Sequence, residues 1–150
     1  MHMKALVVLP MVGVGPVHLG ATREQVHAAL GHPEAGFLKV PTCEHRTDTW
    51  FDGCLQVFYE GESPAVSFIE LSRGVGFEAS LFGLPVFATR VPVLVAELSH
   101  HSQLEASDPE LGFSFKFPSI ELALWRPSDD DEEEPHVSTV GIGVPGYFSR

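Results

Sequence analysis

Cysteine is scarce in this chain of 150 residues, with only Cys43 and Cys54 present. Two thiols cannot make a disulfide scaffold, so the fold has to be held by an apolar core. A single bridge would form only in an oxidising compartment, and the reading favoured here is two reduced thiols. Long apolar runs are also missing. After Lys4 the run Ala5 to Leu9 meets Pro10, and no small-x-small cleavage site follows it. No stretch reaches the roughly 18 apolar residues that span a bilayer. The expectation is a soluble, cytoplasmic protein with no membrane contact. Cations are few: 9 Lys and Arg stand against 20 Asp and Glu, a formal charge of -11. Such a field repels phosphate backbones, which argues against nucleic acid as a partner and in favour of a basic protein. The glycine pairs at Gly13-Val14-Gly15, Gly74-Val75-Gly76 and Gly141-Ile142-Gly143 lack the lysine of a phosphate loop and the third glycine of a dinucleotide fingerprint. They read as bulges and bends.

What the chain does have is a 44% hydrophobic fraction with 11 Phe, enough for one globular domain over 1–150. A short helix starts at Thr22, whose hydroxyl and the Gln25 side chain three residues later suit a reciprocal capping box. Val26, Ala29 and Leu30 share one face, and Gly31 with Pro33 stops the helix. A helix this short needs a larger surface to lie on, and a sheet is the expected one.

The segment Ala21-Thr22-Arg23 returns as Ala88-Thr89-Arg90, an offset of 67, and opens a second helix running from Thr89 to about Leu98 with Pro92 in its first turn. Three strands follow each helix: Arg46 to Phe51, Cys54 to Tyr59 and Ala65 to Leu71, then Gly112 to Phe117, Ile120 to Trp125 and Val137 to Val144. Asp52-Gly53 suits a two-residue hairpin turn. The third strands match best: Pro64-Ala65-Val66-Ser67 resembles Pro135-His136-Val137-Ser138 at an offset of 71. The four additional residues fit the acidic run just upstream. The pattern predicts an α+β fold of two tandem helix-plus-antiparallel-meander repeats, about 13–71 and 82–144, forming one continuous antiparallel sheet with both helices on one face.

Strand alternation divides the residues between the two faces. Trp50, Leu55, Val57, Tyr59, Ile69 and Leu71 are expected under the helices, together with Phe113, Phe115, Phe117, Ile120, Leu122 and Leu124. The outer face then shows Thr49, Phe51, Cys54, Gln56, Phe58, Val66 and Phe68 in the first half, and Ser114, Lys116, Glu121, Ala123 and Trp125 in the second. So aromatic a face calls for a cover, either the segment from Gly143 to Phe148 or a partner.

The run from Gly15 to Val26, continued by Leu30-Gly31-His32-Pro33, resembles the opening motif of a bacterial superfamily. That superfamily includes the beta-lactamase inhibitor proteins and the small outer-membrane assembly lipoproteins. The inhibitors are tandem helix-plus-sheet repeats that bind an enzyme with the concave face of one long sheet. The resemblance therefore implies an inhibitor, or an immunity-type protein directed at a toxin. The chain departs from these relatives in having two cysteines, no export signal and no lipidated cysteine.

Other constellations are weaker. Asp129-Asp130-Asp131-Glu132-Glu133-Glu134 holds six of the acids, and the rest of the chain carries only -5. It reads either as a solvated loop or as an electrostatic lure for a basic partner, and its spacing lacks the alternating ligands of a calcium loop. His100-His101, with His27 and His32 elsewhere, could ligate a metal, but adjacent histidines at a helical end usually point apart, and Cys43-x-His45 near Asp48 has no activating feature beyond proximity. No residue is nominated as catalytic, no metal or other cofactor is expected, and the chain is expected not to be an enzyme. The candidate partner-binding residues are Phe51, Phe58, Phe68, Lys116, Glu121, Trp125 and the six acids from Asp129 to Glu134. Two rival readings exist: a small-ligand binder or enzyme using His45, Cys43 or His18 in a pocket, and a self-associating module, a homodimer through strand edges or the aromatic face.

Overall fold

The computed structural model describes residues 3–150. Each half opens with a strand and a hairpin, continues through a helix and ends in a meander. In the first half these are β1 (Lys4–Leu9), β2 (Gly13–Val14), β3 (Val17–His18), α1 (Arg23–Leu30), a short edge strand β4 (Ala35–Phe37), β5 (Thr47–Trp50), β6 (Leu55–Glu60) and β7 (Ala65–Ser72). In the second half they are β8 (Phe77–Leu81), β9 (Leu84–Pro85), α2 (Val91–Leu98), β10 (Ser114–Phe117), β11 (Leu122–Trp125) and β12 (Thr139–Gly143).

Both meanders join one seven-stranded antiparallel sheet in the order β10-β11-β12-β7-β6-β5-β4. The α+β plan with a continuous sheet is therefore present. A second, five-stranded sheet, β3-β2-β1-β8-β9, was not expected. Its centre is the parallel pair of the two opening strands, with Leu6 beside Ala79 and Val8 beside Leu81. Hairpin stubs of two residues look like loop in a sequence, which is why the sheet escaped a reading based on alternation.

The registers relate the halves residue by residue. Leu55 pairs with Leu71, and Leu122 pairs with Ile142. Position 55 thus corresponds to 122, an offset of 67, while 71 corresponds to 142, an offset of 71. The change falls between β11 and β12, where the acidic loop lies.

Capping explains α1. Thr22 Oγ1 accepts from the Gln25 N–H at 3.2 Å, and the Gln25 side chain accepts from the Thr22 N–H at 2.9 Å. Only Val26 is fully buried and Ala29 faces out, so the inward stripe is Arg23, Val26, His27 and Leu30. In α2 the N-cap is Arg90, not Thr89, whose hydroxyl instead donates to the Pro85 carbonyl. The first amide, Val91 N–H, donates to Pro135 O at 2.9 Å, which ties the helix to the end of the acidic loop.

The core is one cluster between the two sheets and the helices. It contains Leu6, Val8 and Leu81 from one sheet, Val26, Leu94 and Leu98 from the helices, and Leu55, Ile69, Leu71, Phe117, Leu122, Leu124 and Ile142 from the other. Three assignments need correction. A bulge between Phe58 and Tyr59 sets Tyr59 opposite Val66, so Val66 turns inward and is buried. Ile120 drops out of the expected strand because Pro118–Ile120 forms a 3₁₀ turn; Phe117 pairs with Leu122, which keeps Leu122 and Leu124 on the core side. Phe113 lies beyond the strand and is exposed. No helix among the described residues is long and apolar enough to cross a membrane.

Candidate functional site

The outer face of the seven-stranded sheet divides into a covered half and an open half. In the covered half Phe58 and Phe68 face each other across β6 and β7, with ring centroids 5.6 Å apart. The chain's own residues 143–150 close over them. Tyr147 stacks on Phe68 at 4.6 Å with the rings 9° apart, and Phe148 meets the same ring edge-on. Lys39 lies over Phe58 and reaches the Tyr147 hydroxyl at 3.4 Å. Phe58 is only 8% exposed as a result.

Glu121 fastens this cover. The residue is 7% exposed, sits in the left-handed region with φ 50°, and its two carboxylate oxygens accept the Gly146 and Phe148 N–H groups at 2.7 and 3.0 Å. Arg150 Nη1 donates to both oxygens of Glu60 at 2.7 Å. The expectation that Phe58, Phe68 and Glu121 lie free for a partner is thus corrected: two are packed under this segment and the third holds it down. Phe51 leaves the face altogether. It lies in a turn of left-handed residues, Phe51, Asp52 and Gly53, and packs on Phe77 at 5.1 Å. The turn therefore takes four residues, 51–54, between Trp50 and Leu55.

The open half carries Trp125, 45% exposed at the end of β11, with Lys116, Ala123 and Thr139 on the same side. Lys116 also meets the buried Asp108 carboxylate at 3.4 Å. By the offset of 67, Trp125 corresponds to Phe58, so one position is covered in the first half and bare in the second. Nearby Glu70 is half-buried on the same face between Gln56 and Gly141, and among the described residues its carboxylate has no hydrogen-bond or ion-pair partner. Burial raises its pKa above the ordinary carboxylate value, with Lys39 opposing the shift.

Immediately beyond Trp125 the acidic loop folds around Arg126, which is 2% exposed. Its guanidinium donates to Gly112 O at 2.8 Å, Asp131 Oδ1 at 2.8 Å, Glu134 O at 2.7 Å and Asp129 O at 3.2 Å. Ser128 adds a bond to Glu133, and Asp130 caps the Glu132 amide. The run is therefore a built loop, not a loose charged strand. Asp131 turns one oxygen inward to Arg126 yet stays exposed, as do Asp129, Asp130, Glu132 and Glu133, while Glu134 is half-buried near Arg73. Sequence reasoning missed Arg126; a lone arginine heading six acids was its signal.

The residues of the rival pocket do not converge. Cys43 and His45 line a depression of about 310 Å³, but His45 Nε2 is held by Gly61 O at 2.7 Å. Asp48 belongs to the opposite face, where one carboxylate oxygen takes Arg23 and His27 at 2.8 Å and the Tyr59 hydroxyl at 3.0 Å. His18 is in the other sheet. No group of three His, Cys, Asp or Glu among the described residues is placed to hold a metal ion.

No protein-family model, curated protein or solved structure matches this chain.

Proposed function

We propose that the chain is a non-enzymatic protein-binding module, an inhibitor or immunity-type protein that blocks a basic bacterial toxin or enzyme. The observation that carries this reading is an exposed tryptophan at the foot of an acidic loop made rigid by a buried arginine. Aromatic side chains on a firm scaffold anchor protein interfaces with little entropy left to lose, and a charged rim speeds encounter with a partner of opposite sign. The loop is preorganised because Arg126 already holds three of its backbone or side-chain acceptors. Of the residues nominated from sequence, Trp125, Lys116, Asp129, Asp130, Glu132 and Glu133 keep this role. The cytoplasm, with both thiols reduced, is the compartment that suits the reading; Cys43 and Cys54 are unbridged.

A photo-reactive phenylalanine analogue at position 125, compared with one at the exposed Val93 of α2, tests it in the cells that make the protein. The expected result is one basic protein cross-linked from 125 and absent from 93. Equal yields from both positions, or none from 125, would overturn the proposal.

A further inference from the structure

The two halves of the outer face correspond, yet only one has an occupant. Over Phe58 and Phe68 lies the segment Gly146-Tyr147-Phe148-Ser149-Arg150, which uses an aromatic ring to stack on Phe68, backbone amides to reach the Glu121 carboxylate, and one arginine nitrogen to bridge both oxygens of Glu60. Over Trp125, the counterpart of Phe58, none of the described residues makes an aromatic contact. The surroundings there hold an exposed indole, small neighbours at Ala123 and Thr139, Lys116 on the same side, and carboxylates at Glu70 and in the loop.

We infer that the open half receives a segment of a basic partner that presents an aromatic side chain beside an arginine, the chemistry that residues 147–150 present to the covered half. The inference rests on the protein-binding reading above and adds the nature of the contacting segment. Charge complementarity argues for the arginine, because the chain carries -11 and Glu70 on this face is a half-buried carboxylate with no hydrogen-bond or ion-pair partner among the described residues. The planar fork of an arginine can stack on the indole while donating to a carboxylate, which a lysine ammonium does less well. Fit to the aromatic comes from the exposed Trp125 ring, since offset or edge-on pairs of rings are favourable beyond the area they bury.

The test uses the intact chain, labelled for amide NMR, titrated with the blocked pentapeptide acetyl-Gly-Tyr-Phe-Ser-Arg-amide and with a control in which glutamate replaces the arginine. Saturable shifts are expected at Ala123, Thr139 and the Trp125 indole, with no saturation for the control peptide. Trp125→Ala should weaken binding about tenfold or more, and Glu70→Gln severalfold, with spectra otherwise unchanged. Shifts centred on Phe58 and Phe68 would mean that the peptide merely exchanges with residues 146–150, and would overturn the inference. So would equal response to both peptides, or none. A protein cross-linked from position 125 with no peptide response would leave the binding module standing and remove only this assignment.

Discussion

Glu70 lies directly opposite Gly141 in the antiparallel pair of β7 and β12, and 141 is also the position that corresponds to 70 in the second half. The neighbours obey the same rule, since Leu71 faces Val140 while Ile69 faces Ile142. The two third strands therefore meet about a local twofold at this pair, which joins two meanders into one sheet.

Gly141 is needed there for a steric reason. A Cβ at this position would come within 2.4 Å of Phe68 Cζ, and that ring is pinned beneath Tyr147. Gly141→Ala should lower stability by about 1–3 kcal/mol through overpacking, read as a shift in urea midpoint. Adding Phe68→Leu should recover part of the loss.

Arg126→Met keeps the aliphatic stem but leaves carbonyls of Gly112, Asp129 and Glu134 without their donor. A cost of about 3 kcal/mol is expected, as for other buried charged hydrogen-bond donors. Amide exchange in residues 128–134 should quicken at the same time. Arg126→Lys should recover little, because one ammonium cannot reach four acceptors spread around a planar fork.

Glu121→Gln tests the fastening of residues 143–150. An amide retains one acceptor oxygen but turns an NH₂ toward the second backbone N–H, so one of the two bonds is lost. The variant should be less stable by about 1–3 kcal/mol, and the Tyr147 resonances should lose their ring-current displacement by Phe68.

Glu70 predicts a pH dependence of defined sign. Its folded pKa is raised by burial, so the folded state binds the proton more tightly than the unfolded chain. The carboxylate therefore costs stability above the raised value, and the cost disappears as pH falls through it to the ordinary carboxylate range. Glu70→Gln should raise the melting temperature near neutral pH and have no such effect in acid, where both states carry the proton.

Much of this architecture was legible because two periodicities survive in the sequence. The capping pair Thr22 and Gln25 located α1, and alternation sorted Leu55, Val57, Ile69, Leu71, Leu122 and Leu124 to the core. Even the offsets of 67 and 71 agree with the strand registers. What stayed hidden depends on contacts distant in sequence or on single backbone angles. The bulge that turns Val66 inward, the left-handed Glu121 and the turn that removes Phe51 all break alternation without a composition cue. The candidate site was half visible: Trp125 and the acids were nominated, but the role of Arg126 appears only once four acceptors surround it, and the cover on Phe58 only once Tyr147 returns to Phe68.

The proposed function makes Trp125 a recognition residue and Phe58, its counterpart, a structural one. The deciding measurement is the affinity of Trp125→Ala for the protein cross-linked at position 125, with thermal unfolding of Trp125→Ala and Phe58→Ala run alongside. Trp125→Ala should lose about 2 kcal/mol or more of binding energy and keep its melting temperature, whereas Phe58→Ala should melt lower. Undiminished affinity in Trp125→Ala, or destabilisation as large as that of Phe58→Ala, would contradict it.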